Sequence, residues 1–147
     1  MALKDRIAED LKAAMRARDQ VRIDTLRSAL SAFSYRRVEA GREPDDDEQV
    51  AIVRKLVKQR TDSIDSFRKG KREDLVEKES RERDILTALL PRQKSEEELR
   101  PLVLAAVAEL PENGRNQGAA MKVLMARLRG EDAGLIRKLV AEALGSP

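Results

Sequence analysis

The feature that most constrains the fold of this chain is the spacing of its apolar residues, which recur every three or four positions along nearly the whole sequence. The opening segment illustrates the pattern with Leu3, Ile7, Leu11 and Met15. Such spacing places apolar side chains on one face of an α-helix. A β-strand would instead require alternation at every second residue, and no stretch of useful length alternates in that way. The sequence therefore predicts an all-α fold.

Breaks in this pattern divide the chain into helices. Gly41 and Gly70 suit the ends of the second and third helices, and Pro91 stops the fourth. About four helices precede the last of these breaks, and three short ones follow it. We therefore predict two helical subdomains, an N-terminal domain over residues 1–92 and a C-terminal domain over residues 95–147.

Polar residues at the breaks are suited to begin helices. Asp19 and Asp132 can cap the second and the last helix, and Ser95 with Glu98 three residues later forms a capping box. Pro101 lies beyond the first turn of the fifth helix, where it removes one backbone hydrogen bond. We therefore expect that helix to be kinked or to start late.

Charged residues interrupt two of the apolar stripes. Arg60 stands on the stripe of the third helix, and Glu79 and Glu82 stand on the stripe of the fourth. We predict that Arg60 pairs with Glu79 or Glu82 across the contact between these helices. Such a pair fixes the register of the two helices more than it stabilises them.

Sulfur-containing and aromatic side chains on the stripes are interpreted as core residues. Methionine fills irregular gaps between helices, and phenylalanine buries a large apolar surface. The residues assigned to the core in this way are Met15, Met121, Met125, Phe33 and Phe67.

Composition excludes several kinds of active site. The 147 residues include no His, Cys or Trp, which rules out a Ser-His-Asp triad, a thiol nucleophile and a zinc site of the usual ligands. The carboxylates of Asp45, Asp46 and Asp47 precede a helical run, so helix capping is favoured over metal binding. We expect no catalytic residues, no cofactor and no metal site. A mechanism based on lysine or carboxylate groups is the alternative that composition leaves open.

The location of the protein is predicted from features that are missing. No apolar run approaches the roughly 20 residues that span a membrane. The first residues lack the apolar segment of a signal peptide, and the absence of cysteine fits a reducing compartment. These features predict a cytoplasmic protein that does not associate with membranes.

Two stretches of the chain are strongly basic. Residues 68–72 contain four cations, which we interpret as a complement to the negative end of the third helix and a solvated turn. Residues 115–138 contain six cations and two anions, whereas residues 95–147 as a whole contain seven cations and eight anions. This concentration of positive charge favours RNA as a partner. With only three aromatic residues in the chain, recognition would rely on the RNA backbone and its shape.

Several segments resemble a known family. They include the central run VKQRTDSIDSF over residues 57–67, the run over residues 70–79, and the segments 15–19, 85–91 and 95–99. These segments are similar to the GatB/YqeY family in its stand-alone YqeY form, and the resemblance covers essentially the whole chain. It implies two α-helical domains, the second of which is similar to the tail of the GatB component of the glutamine-dependent aspartyl/glutamyl-tRNA amidotransferase.

The resemblance implies a role related to tRNA, because that tail helps to hold tRNA while other parts of the complex perform the chemistry. Glutamine hydrolysis and ATP-dependent activation reside in parts that have no counterpart in this chain. The first hypothesis is a non-catalytic helical protein associated with tRNA or another structured RNA, linked to translation or tRNA-dependent amidation. Phosphate contacts would come from Lys122, Arg127, Arg129, Arg137 and Lys138.

Two alternatives are kept beside this hypothesis. One is a protein-interaction adaptor with no RNA role, in which the two domains form a groove for a partner helix, for example in translation. A weaker one is an accessory component of a glutamine-dependent carbon–nitrogen ligase. The chain departs from the family pattern at Ala119 and Leu135, where lysine is usual.

Overall fold

The computed structural model describes residues 2–145, which form seven α-helices and one short 3₁₀ turn. No strand occurs within this described range. The predicted all-α class, with four helices followed by three short ones, is confirmed. The chain divides into two units, an N-terminal unit over residues 1–91 and a C-terminal unit over residues 92–147.

The N-terminal unit consists of two helical hairpins that point the same way. Its helices are α1 (Leu3–Ala17), α2 (Gln20–Ala40), α3 (Asp46–Lys69) and α4 (Glu73–Leu89). The backbone N–H of Lys4 donates to Oε1 of Gln49 at 3.0 Å, and the Arg6 guanidinium donates to the carbonyl of Leu89 at 3.5 Å. The start of α1 therefore lies beside the start of α3 and the end of α4. As a result, the α1–α2 and α3–α4 turns lie at the same end of the unit.

Apolar faces of all four helices form the core of the N-terminal unit. Ile7, Leu26, Val53 and Leu86 each have no exposed surface, and Phe33 is 1% exposed. Fully burying such a side chain contributes about 1.5–3 kcal/mol. Each of the four helices supplies at least one of these residues, so none of the helices could be removed without opening this core.

Met15 lies outside this core, contrary to the prediction from its spacing. Its side chain is 49% exposed. A step of four residues turns the helix by about 40° beyond a full circle, so the three steps from Leu3 to Met15 rotate the stripe by about 120°. The stripe therefore leaves the buried face before α1 ends. Phe67, also assigned to the core, is half-buried near the end of α3.

The C-terminal unit is built around a separate core. It contains α5 (Glu96–Glu109), a 3₁₀ turn (Glu112–Gly114), α6 (Gln117–Arg127) and α7 (Ala133–Ala143). Leu99, Leu124 and Ile136 are buried at its centre, one from each helix. Met121 and Met125 pack against this centre while remaining half-buried.

Side-chain caps begin the helices where the sequence predicted them. The carboxylates of Asp19 and Asp132 each accept a hydrogen bond from the backbone N–H three residues later. Ser95 and Glu98 form a reciprocal capping box. The α5 helix begins directly after this cap, so the expectation that Pro101 delays its start is wrong. The cap satisfies backbone groups that otherwise have no partner, and it does so before Pro101 is reached.

The predicted pairing of Arg60 is confirmed. Its Nε lies 3.0 Å from Oε2 of Glu82 and 3.6 Å from Oε2 of Glu79. The Glu82 and Glu79 side chains are 11% and 17% exposed, so these charges are largely withdrawn from water. The Nε of Arg60 and the Oε2 of Glu79 are buried without an aligned hydrogen bond, which makes the contact mainly coulombic.

Both hairpins of the N-terminal unit turn at a cationic residue in the left-handed region. Arg18 follows α1 with φ 56°, and Lys71 follows α3 with φ 57°. At the second turn, the N–H of Arg72 donates to the carbonyl of Phe67 at 2.9 Å and that of Lys71 to the carbonyl of Arg68 at 3.1 Å. This is the Schellman pattern, in which glycine usually holds the left-handed position. A residue with a Cβ atom in this conformation lowers the stability of the fold by roughly 1–2 kcal/mol relative to glycine.

We expect Arg18→Gly and Lys71→Gly each to raise the free energy of unfolding by about 1 kcal/mol, because glycine adopts this conformation without strain. Urea unfolding followed by circular dichroism measures the change. Gly41→Ala is the matched control, since Gly41 has φ 75° with no atom near the site of an added Cβ, and it should destabilise the protein. Lower midpoints for both glycine variants would contradict the assignment of strain.

We expect Arg60→Met to lower the free energy of unfolding by about 3 kcal/mol. The change leaves the largely buried Glu79 without a counter-charge and leaves Glu82 with only Lys78, whose ammonium lies 3.9 Å away. Adding Glu79→Gln and Glu82→Gln to this variant should recover part of the loss. Arg36→Met is the control, since Arg36 pairs with an exposed carboxylate and should lose less than about 1 kcal/mol. A triple variant no more stable than Arg60→Met would refute the account.

Candidate nucleic-acid interface

The five cations predicted to contact RNA all lie on the surface of the C-terminal unit. Two are on α6, one is in the turn that follows α6, and two are on α7. In chain order they are Lys122, Arg127, Arg129, Arg137 and Lys138, and each is exposed.

The structure does not bring these five side chains into one cluster. Arg127 lies 2.8 Å from the carboxylate of Glu109, and Lys138 lies 3.0 Å from that of Glu96. These glutamates are the last and first residues of α5, which places them about 20 Å apart at 1.5 Å per residue. Arg127 and Lys138 therefore lie at opposite ends of α5, and each has an acidic partner.

Lys122 and Arg137 differ from this pair because neither side chain contacts an acidic group of the described residues. The side-chain amide of Gln117 donates to the backbone carbonyl of Arg137 at 3.3 Å, so the first turn of α6 touches the middle of α7. Lys122 follows Gln117 by five residues, which turns it about 140° around α6. The two unpartnered cations thus lie on neighbouring helices.

Acidic residues on α5 reduce the positive charge in the middle of α7, around Lys138. The Lys138 ammonium donates a hydrogen bond to Glu96 and holds the pKa of that carboxyl below its ordinary value of 4.5. The Arg100 guanidinium, 3.2 Å from the same carboxylate, acts in the same direction. Any phosphate that binds Lys138 must therefore compete with Glu96.

Arg115 begins the basic stretch of residues 115–138, but its side chain caps the end of a helix. Its Nε donates to the carbonyl of Leu110 and its terminal nitrogen to the carbonyl of Ala108, both at 3.0 Å. These carbonyls end α5 and have no partner within the helix. An arginine a few residues after a helix end is the sequence signal that could have indicated this role.

A charged network before α5 was also missed in the sequence. Both terminal nitrogens of Arg92 donate to the carboxylate of Glu98 at 2.9 Å. The backbone N–H of Ser95 donates to the same carboxylate at 3.1 Å. These contacts, led by the Arg92 hydrogen bonds, lower the pKa of Glu98 from 4.5 to about 2.

The outer face of α5 is apolar and uncovered within its unit. Residues 101–108 contain no polar side chain, and Leu102 and Leu104 are 40% and 50% exposed. Pro101, Ala105 and Ala108 are exposed as well. Eight consecutive apolar residues of a helix cannot all face one core. This run in the sequence therefore indicates that some of its apolar side chains face away from the core of the unit.

Other features that could bind small molecules are limited in the part of the chain that is described. A groove of about 470 Å³ runs between α2 and α3 and is lined by residues that include Tyr35, Ile52 and Leu56. Residues 2–145 contain no group of three or more carboxylates placed to hold a metal ion. No helix in that range has the length and apolar character needed to cross a membrane.

Comparison with known proteins gives a match along nearly the entire chain. The family described as Yqey-like protein matches residues 4–144. "Altered inheritance of mitochondria protein 41, mitochondrial" of Pyrenophora tritici-repentis is 31% identical over 146 residues, covering 96% of this chain and 80% of that protein. Its namesake in Kluyveromyces lactis is 45% identical over 82 residues, covering 54% and 44%. The matched part therefore spans less than half of the Kluyveromyces relative.

These names contradict the cytoplasmic location that the sequence predicted, because the relatives are named as mitochondrial proteins. The prediction rested on the absence of cysteine, of an apolar leader and of a long apolar run. Those features bear on disulfides, secretion and membrane insertion. None of them separates the cytosol from another aqueous compartment, so the cytoplasmic prediction does not stand.

We expect Glu98→Gln to reduce the loss of stability on acidification. The pKa of Glu98 is about 2 in the folded chain and near 4.5 when unfolded, so its ionised form stabilises the fold above pH 4.5. That contribution is lost as the pH falls toward 2. Urea midpoints measured by circular dichroism between about pH 5 and 2 should fall less steeply for Glu98→Gln than for the wild type. Glu97→Gln, an exposed neighbour, should follow the wild type, and equal slopes for all three would contradict this role.

Proposed function

This chain belongs to the Yqey-like protein family, and we propose that it is a non-catalytic helical protein that associates with tRNA or another structured RNA. Its place would be in translation or in tRNA-dependent amidation. The observation that carries the proposal is the pair Lys122 and Arg137. Both are exposed cations without an acidic partner, on adjacent helices of a unit in which other cations are paired.

The remaining cations of the set can join such an interface at low cost. Arg127 and Glu109 are 55% and 59% exposed, and Lys138 and Glu96 are 58% and 37% exposed. Exposed ion pairs of this kind contribute little to stability, because water screens both charges. A phosphate can therefore replace the glutamate as the partner of Arg127 or Lys138. Arginine binds phosphate through two parallel hydrogen bonds, whereas lysine acts as a point charge.

Contacts to the sugar–phosphate backbone fit the residues available better than contacts to bases. All three aromatic residues, Phe33, Tyr35 and Phe67, belong to the N-terminal unit. The C-terminal unit has none on which an unpaired base could stack. Recognition of a folded RNA by its shape and its phosphates needs no such platform.

The link to amidation rests on the resemblance of the C-terminal domain to the tail of the GatB component of the amidotransferase. The chain has no cysteine to serve as a thiol nucleophile and no histidine to activate a nucleophile as a base. The proposal therefore assigns this protein to binding, with any amide transfer performed by other proteins.

A second candidate function is that of a protein-interaction adaptor, and the outer face of α5 favours it. Leu102 and Leu104 are exposed there beside Pro101, Ala105 and Ala108. An apolar face of this kind can receive the apolar stripe of a partner helix. An adaptor with no RNA role predicts that tRNA binding is absent even at low salt.

We expect the purified protein to bind total tRNA in fluorescence anisotropy, with an affinity that falls steeply as salt rises. Lys122→Gln with Arg137→Gln should weaken binding about tenfold at about 0.1 M salt and lower the salt slope by about 1.5, because two phosphate contacts are lost. Arg27→Gln with Lys55→Gln is the matched control, since it removes two exposed, unpaired cations from the other unit. No binding at low salt, or equal effects in both variants, would refute the proposal.

A further inference from the structure

A second group of unpartnered cations lies at one end of the N-terminal unit, where both hairpins turn. We call this group the basic end; it consists of Arg16, Arg18, Arg68, Lys69 and Lys71. All five are exposed, and none of their side chains forms an ion pair or hydrogen bond within residues 2–145. Elsewhere in this unit many cations are paired, as Arg36 is with Glu39 and Arg42 with Glu48.

Two of the nearby acidic residues are already engaged. Asp19 lies in the turn between α1 and α2, where its carboxylate caps α2 and pairs with Arg22 at 3.6 Å. Asp74 follows the turn between α3 and α4, and its carboxylate accepts hydrogen bonds from Arg72 at 3.2 and 3.3 Å. The Arg72 guanidinium holds the pKa of Asp74 below its ordinary value, so Asp19 and Asp74 offer little charge to the basic end. Asp65 and Glu73 are the free carboxylates nearest to it in the sequence, and the five cations outnumber these two.

The basic end extends along the axis of the unit. The Lys4–Gln49 contact fixes the level of α1 against α3. Counting from it at 1.5 Å per residue, the turn at Lys71 lies about 12 Å farther along the axis than the turn at Arg18. The two turns therefore place their cations about 12 Å apart along the axis, an extended arrangement suited to a polyanion rather than to a single phosphate.

The conformation of the two turns is the second, independent observation. Arg18 and Lys71 each hold a left-handed backbone conformation that glycine would adopt without strain. Residues held in sparsely populated backbone conformations cluster at functional sites. At both turns the strained residue is a cation.

From these observations we infer that the basic end is a second RNA-binding surface, which contacts the phosphate backbone. This inference rests on the proposed function and adds a site on the other unit. An anionic membrane fits less well, because Met15 is the one large apolar side chain of α1 exposed near this end and surface helices bind lipid through a broad apolar face.

The decisive variant carries Arg18→Gly and Lys71→Gly together. It should unfold at a higher urea concentration than the wild type, because strain is relieved, yet bind total tRNA about tenfold more weakly at about 0.1 M salt. Arg68→Gln with Lys69→Gln removes charge without altering the turns and should weaken tRNA binding to a similar extent. The Arg27→Gln and Lys55→Gln control should bind like the wild type.

The outcomes separate this inference from the proposed function. Unchanged tRNA binding by the glycine variant, with binding lost in Lys122→Gln/Arg137→Gln, would overturn the basic end alone. If the glycine variant loses tRNA binding and Lys122→Gln/Arg137→Gln keeps it, the result would support the basic end and overturn the C-terminal site. Binding to vesicles containing phosphatidylserine that depends on the same cations, without binding to tRNA, would overturn both.

Discussion

Each helix of this protein can bury only one face, because charged residues occupy the others. Because 39% of its residues are charged, most helices have only one apolar face. The fold follows from the need to bury that single face of each helix. Four helices enclose one core and three enclose another. Nearly all charges remain at the surface, and the buried exception, Glu82 with its neighbour Glu79, is compensated by Arg60. The α5 helix departs from the rule, since it is apolar on its outer face as well.

The features that sequence reasoning recovered are those determined over a few residues. Caps at Asp19, Ser95 and Asp132 depend on a side chain and a backbone N–H three positions away. The pairing of Arg60 was predictable for another reason, because a charge on an apolar stripe must find its opposite on the helix packed against it. Both arguments need only the period of the α-helix and the sign of a charge.

Features that depend on accumulated geometry or on neighbouring helices were not recovered. A stripe of every fourth residue drifts around α1, so Met15 was misassigned. The left-handed position after α3 falls on Lys71 and not on Gly70, a shift of one residue that composition cannot reveal. Counting cations in residues 115–138 gave a net charge but no partners. The contacts of Arg127, Lys138 and Arg115 depend on where α5 lies against α6 and α7.

The left-handed arginine after α1 also has a genetic consequence. Every arginine codon becomes a glycine codon by a single base change, so a less strained turn is always one mutation away at position 18. The same is not true of Lys71, since lysine codons require two changes. A gain in the stability of the fold and the retention of the charge therefore oppose each other most directly at Arg18. The residue that a given lineage carries there reports which of the two has prevailed.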